Sequence, residues 1–154
     1  MKILSRSSAE TNKIAADFLL ASLTPRRSGK KISARTDHAV IVGLFGDLGS
    51  GKTTFTQALG KHLGVKEVIT SPTFVIEKIY RLNGQSNFKN LIHIDAYRLD
   101  SGKELTNLGF EEISRDPNNL ILIEWPERVA DILPPDLIKI NFKFVSENER
   151  EIVS

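Results

Sequence analysis

Gly46-Asp47-Leu48-Gly49-Ser50-Gly51-Lys52-Thr53-Thr54 is the stretch whose reading decides how this chain folds. Gly46, four residues, then Gly51-Lys52-Thr53 is the full pattern of a phosphate-binding P-loop. Glycine lets the backbone turn tightly and bring a row of N–H groups against an anion. Lys52 supplies a mobile ammonium for the β- and γ-phosphates of a nucleotide, and the Thr53 hydroxyl is a hard oxygen ligand for Mg2+. A helix opening at the end of the loop points its positive dipole end at the same phosphates. All nine residues, 46–54, are candidate nucleotide contacts. With the loop empty, Lys52 is expected to face solvent.

The flanks support this reading over a plain Gly-rich turn. Val40-Ile41-Val42-Gly43-Leu44-Phe45 is an apolar run ending at the first glycine, and Phe55 to Leu63 continues with helical spacing as far as a Gly64-Val65 stop. Strand, glycine loop and helix in that order are the context the motif requires.

A P-loop needs an acidic partner, usually at the end of an apolar strand. Two candidates stand out: Asp95 after Leu91-Ile92-His93-Ile94, and Glu124 after Leu120-Ile121-Leu122-Ile123. Ligands of an open α/β sheet bind at the carboxyl ends of its strands. A carboxylate there can hold Mg2+ through water or align an attacking water. Ser71-Pro72-Thr73 lies between the P-loop helix and the next strand, where Thr73 reads as a sensor of metal or terminal phosphate rather than only a turn residue. Arg98 reads equally well as a phosphate contact or as scaffold. His93 shares the alternation of Asp95 and reads as packing rather than as a base. Trp125 either walls the site or plugs the core.

The remaining elements follow from pattern. Ser7 or Ser8 caps a helix running to Leu20, with Ile14 and Phe18 on its apolar stripe. Residues 24–37 form a polar loop with five basic residues and no interleaved aromatic, read as a solvated connection rather than an RNA-contacting arm. The second half of residues 68–80 is a strand, Asn83-Gly84 a turn, and residues 91–95 the return strand of a hairpin. Ser101 and Glu104 form a capping box for a helix, and a second short helix covers residues 109–114. Residues 120–124 are a strand buried on both faces, followed by a short helix to Leu133. Residues 138–144 alternate as a strand with one solvated face, and residues 150–154 pair with it. The expectation is an α/β, P-loop NTPase-like three-layer fold with a mixed parallel and antiparallel sheet, in one domain over residues 1–154.

With 154 residues, 40% hydrophobic and 26% charged, the composition is that of an ordinary globular domain. A net charge of +2 is too mild to argue for nucleic-acid binding over the whole surface. Zero cysteines exclude a disulfide framework or a thiolate metal site and fit a cytoplasmic location. No apolar run reaches the ~18 residues needed to span a bilayer, and no secretory signal follows Lys2 and Arg6.

The P-loop, Ser71-Pro72-Thr73-Phe74, His93-Ile94-Asp95-Ala96-Tyr97-Arg98-Leu99 and Glu124-Trp125-Pro126 occur in an order and spacing that resembles the bacterial TsaE (YjeE) family. The resemblance runs from the Thr11 helix to Arg150-Glu151-Ile152. It implies an ATPase weak on its own, working with TsaD and TsaB in the threonylcarbamoyladenosine (t6A) modification of tRNA. Carried over by position, ATP or ADP contacts the P-loop, Thr53 and Glu124 hold Mg2+, and Lys52 contacts phosphate. Thr73 falls in a switch-like segment, Asp95 becomes the second acid, and Thr11 and Arg150 border the nucleotide. Two other classes compete. A small-molecule kinase would need an Arg-rich lid, and none follows the central strands. A nucleotide-gated binding module would bind without relevant hydrolysis.

Overall fold

Val40–Phe45 is a strand and Lys52–His62 a helix, joined by the glycine loop as the sequence predicts. In this computed structural model, which describes residues 2–18, 21, 37–84 and 86–154, the order runs β1 (Lys2–Ser5), α1 (Ser8–Phe18), β2 (Val40–Phe45) and α2 (Lys52–His62). It continues with β3 (Glu77–Arg81), β4 (Asn90–Asp95), α3 (Gly102–Asn107), α4 (Phe110–Arg115) and β5 (Asn119–Glu124). A 3-10 helix (Pro126–Ile132), β6 (Ile138–Phe144) and β7 (Arg150–Val153) complete it. The basic stretch 24–36 and the expected helix end at Leu19 and Leu20 lie outside the described residues. Among the described residues, no helix is long and apolar enough to cross a membrane.

The seven strands form one sheet in the order β1-β7-β6-β2-β5-β4-β3. The central four, β6, β2, β5 and β4, are parallel, and antiparallel strands close both edges. Alternation along each strand splits the core in two. Leu120 and Leu122 of β5, with Val42 and Leu44 of β2, pack against Phe55 and Leu59 of α2 and Ala15 and Phe18 of α1. Ile121 and Ile123, with Ile92 and Ile94 of β4, pack against Leu105 of α3, Phe110 of α4 and Val129. Every residue of β5 is buried, as its unbroken apolar run requires. The result is a three-layer α/β, P-loop NTPase-like fold.

Register carries the chemistry to one edge. Glu124 pairs with Asp95 on one side and with Leu44 on the other, so both acids stand beside the strand that feeds the loop. The helix ends are set locally. Ser7 Oγ accepts the Glu10 N–H at 3.1 Å and Glu10 Oε2 accepts the Arg6 N–H at 2.6 Å, fixing the start of α1. At the end of α2, the Val65 N–H bonds the Gly60 carbonyl at 2.9 Å and the Gly64 N–H bonds that of Lys61 at 3.2 Å, closing a Schellman motif.

Three local expectations change. The Ser101 hydroxyl makes no capping bond, and Asp131 Oδ1 reaches across to take the Gly102 N–H at 2.9 Å. Glu104 reaches one residue past the expected partner, its Oε1 accepting the Asp100 N–H at 2.8 Å rather than that of Ser101. The hairpin strand begins at Glu77, since the N–H groups of Val75 and Ile76 both turn back onto the Pro72 carbonyl and Ile76 sits at φ 67. Finally, β1 carries no pattern that marks it as a strand; pairing with β7 makes it one.

Candidate phosphate-binding site

The loop at residues 46–51 is shaped by close approach. Gly46 has φ 137, and a Cβ there would run into the carbonyl oxygen of Phe142 on β6. No larger residue lets the loop lie so tightly on the sheet. Gly51, at φ 102, precedes α2, which opens with no side-chain cap. Its first-turn N–H groups therefore have no hydroxyl or carboxylate closing them, the electrostatic arrangement that favours an anion.

Above this helix end is a cleft of about 520 Å³. Leu48 to Thr54 form its floor, Thr73 and Asp95 one side, Glu124 and Trp125 the back, and Thr11 and Arg150 the far wall. Of the residues singled out in the sequence, Gly46 and Asp47 do not line the cleft. They act through their carbonyls, which accept the Lys52 ammonium at 2.6 and 2.9 Å.

Lys52 departs most from expectation. It does not project into solvent but is 4% exposed, folded back over its own loop with Nζ 4.2 Å from the centre of the Trp125 ring. Burial lowers its pKa below the ordinary lysine value, opposed by the carboxylates of Glu124, Glu127, Asp95 and Asp47. A buried ammonium needs acceptors, here two backbone carbonyls and an aromatic face.

The two acids differ in their partners. Thr53 Oγ1 donates to Glu124 Oε1 at 2.9 Å and to Oε2 at 3.2 Å. His93 Nε2 lies 2.8 Å from the same Oε1, with the imidazole fully buried. Asp95 Oδ2 instead accepts from Thr73 Oγ1 at 2.6 Å and Ser71 Oγ at 3.1 Å, and Oδ1 takes the Tyr97 N–H at 3.0 Å. The end of β4 is thus tied to the 71–76 segment, and the end of β5 to the P-loop helix.

Trp125 both walls the cleft and packs on the second core cluster, with its backbone at φ 59 and its ring 5.0 Å from that of Tyr97. Arg98 stacks on Phe74 at 4.6 Å and does not line the cleft. Arg128 lies over Tyr97 at 5.8 Å. Arg150 presents its stem to Gly51, where an added Cβ would sit 3.7 Å from Cγ. Its Nη1 is held by the carbonyls of Ser146 at 2.5 Å and Glu149 at 2.9 Å. The Thr11 hydroxyl meets Ser5 Oγ at 2.8 Å and the Ser7 carbonyl at 3.2 Å.

Three residues acquire positions that sequence reasoning did not give them. Ser71 joins Thr73 on Asp95, and His93 contacts Glu124. Both stand inside motifs already noticed, so the signal was present but its geometry was not. Ser5 reaches the cleft only because β1 pairs with β7, opposite Arg150, and no local pattern marks it.

Comparison with known proteins gives one family. The family model described as "Threonylcarbamoyl adenosine biosynthesis protein TsaE" matches residues 8–152. The protein named tRNA threonylcarbamoyladenosine biosynthesis protein TsaE from Rickettsia typhi is 46% identical over 111 residues, 71% of this chain and 73% of the relative. Its namesake from Rickettsia conorii is 39% identical over 145 residues, 94% of this chain and 72% of the relative. Among solved structures, the crystal structure of YdiB from Bacillus subtilis superposes with a TM-score of 0.70 at 28% identity, covering 99% of this chain and 82% of YdiB.

Proposed function

Because the chain belongs to the TsaE family, we propose that it is an ATP-binding and ATP-hydrolysing subunit of the cytoplasmic t6A machinery. In this reading residues 1–154 form one ATPase domain that works with TsaD and TsaB while adenosine 37 of ANN-decoding tRNAs is modified. The observation that carries the reading is the Thr53–Glu124 hydrogen bond at the mouth of an uncapped helix. It brings a hydroxyl and a carboxylate together beside the N–H groups that face a phosphate.

That donor set fits Mg2+. Both groups are hard oxygens, and the ion normally takes one or two side chains and completes its shell with phosphate and water. Among the described residues, no three His, Cys, Asp or Glu side chains gather into a cage that would suit another metal. Thr53 and Glu124 would hold the ion, which when bound neutralises charge on the phosphate oxygens.

The chain's own groups do the rest. The N–H groups of residues 49–54 bind the β- and γ-phosphates. Lys52 exchanges the Gly46 and Asp47 carbonyls for phosphate oxygens. Glu124 and Asp95 orient water for in-line attack on the γ-phosphorus, whose bond to the bridging oxygen breaks to release ADP and phosphate. Thr73, bonded to Asp95, links that carboxylate to the 71–76 segment. Thr11 and Arg150 border the rest of the nucleotide from the far wall.

Hydrolysis by the isolated chain should be slow. Arg98 and Arg128 are stacked on aromatic rings and Arg150 is held by carbonyls, so none is placed as an arginine finger. ATPase activity measured for the chain alone and then with purified TsaD and TsaB tests the proposal. Strong stimulation is expected; fast turnover alone with no response to the partners would sink it. Family membership does not favour the kinase reading, and single-turnover hydrolysis with the partners present separates an ATPase from a nucleotide-gated binding module.

A further inference from the structure

His93 stands in β4 with its ring fully buried, between Leu91 and Asp95 on the face that packs toward α2. Its Nε2 lies 2.8 Å from Glu124 Oε1, while its Nδ1 is buried without a hydrogen-bond partner among the described residues. A leucine at this position would pack without leaving an orphaned polar atom, which is a cost in any interior. The imidazole therefore answers to the single bond it makes. A carboxylate oxygen that is ionised only accepts, so the proton of that bond belongs to Nε2.

We propose that His93 is a positioning residue for Glu124. Its Nε2–H pins Oε1 and so fixes the plane of the carboxylate. The proposal rests on the ATP–Mg2+ reading above. Oε1 receives two bonds, from Thr53 at 2.9 Å and from His93 at 2.8 Å. Oε2 has only the longer Thr53 contact at 3.2 Å among the described residues and is the oxygen left for ligand or water. When the Thr53 hydroxyl turns from Glu124 to the ion, the His93 bond remains and the carboxylate does not swing. His93 thus acts through Glu124, as the outer partners of metal ligands commonly do.

Chain length at position 93 separates this from packing. Gln carries its amide nitrogen at the reach of Nε2, whereas Asn ends one bond shorter. ADP binding is measured by isothermal titration in EDTA and across a range of Mg2+ concentrations. His93→Asn and His93→Leu should bind ADP in EDTA as the wild type does, yet need about 10–100-fold more Mg2+ for its effect on affinity, the usual size of an outer-partner loss. His93→Gln should recover to within about threefold of the wild type. An Asn variant matching the wild type in Mg2+, or a Gln variant as impaired as Asn, overturns the proposal. Nitrogen-15 spectra of the unsubstituted protein need no variant to fold: a proton on Nε2 of His93 supports the assignment, and an Nε2 without a proton overturns it. A wild type whose ADP affinity ignores Mg2+ overturns the metal reading itself, an outcome distinct from a difference among variants.

Discussion

The Thr53 hydroxyl donates to Glu124 Oε1 at 2.9 Å, joining the first turn of α2 to the end of β5 across 71 residues of sequence. The proposed metal ligands are therefore already in contact, and an ion held by both replaces that hydrogen bond rather than drawing together distant groups.

Thr53→Ala and Glu124→Ala are expected to lower the Mg2+ dependence of nucleotide affinity by at least about tenfold, since even outer-partner substitutions lose that much. Binding in EDTA should change far less. Thr53→Ser, which keeps the hydroxyl, should retain most of the wild-type response. Isothermal titration with and without Mg2+ checks this, and equal losses in the two conditions would contradict the assignment.

Lys52→Ala should abolish ATP binding and leave the fold standing, because the ammonium contacts only its own loop and one ring. Removing the cation 4.2 Å from the Trp125 ring should alter tryptophan emission before any nucleotide is added. Unchanged emission would mean that Lys52 does not rest there in the empty protein.

Asp95→Ala and Thr73→Val remove the 2.6 Å bond that ties β4 to the 71–76 segment. Both should cut stimulation by TsaD and TsaB much more than they cut ATP affinity. An added arginine finger at a P-loop site changes rates by about 10³–10⁵-fold, leaving wide room to observe a partial loss. Variants stimulated like the wild type would remove this pair from the response.

Burial raises the pKa of the Glu77 carboxyl above its ordinary value, and its Oε2 is buried without a partner among the described residues. The folded chain then binds this proton more tightly than the unfolded one. Stability from the protonated form is present at low pH and lost as pH rises through the folded pKa. Glu77→Gln should raise Tm at pH 7 by about 1–3 °C, a fraction of a kcal/mol in a chain of this size. The two melting curves should converge below about pH 4, where the carboxyl is protonated in both states. A gain that persists there would point to packing rather than charge.

Much of the fold was legible because the signals are local. The P-loop glycines, the apolar run of β5, the alternation of β6 and the Gly64 stop each reflect a backbone or burial requirement satisfied within a few residues. Other features answer to distant partners. The start of α3 is capped by Asp131 instead of Ser101, β3 begins late because Pro72 closes a turn, and β1 exists through β7.

The sequence by itself determined the residue types available to the site: a glycine loop, a lysine, a hydroxyl, and acids at the ends of two apolar strands. It also determined that His93 and Asp95 share a face, since strand side chains alternate with period two. Only the tertiary structure decided which groups meet. Parallel pairing of β4, β5 and β2 sets Asp95, Glu124 and Leu44 level, and that register delivers His93 to Glu124 and Thr73 to Asp95. It also decided where the lysine rests. A buried charge takes the nearest acceptors, and which atoms those are is settled by how the loop lies on the sheet.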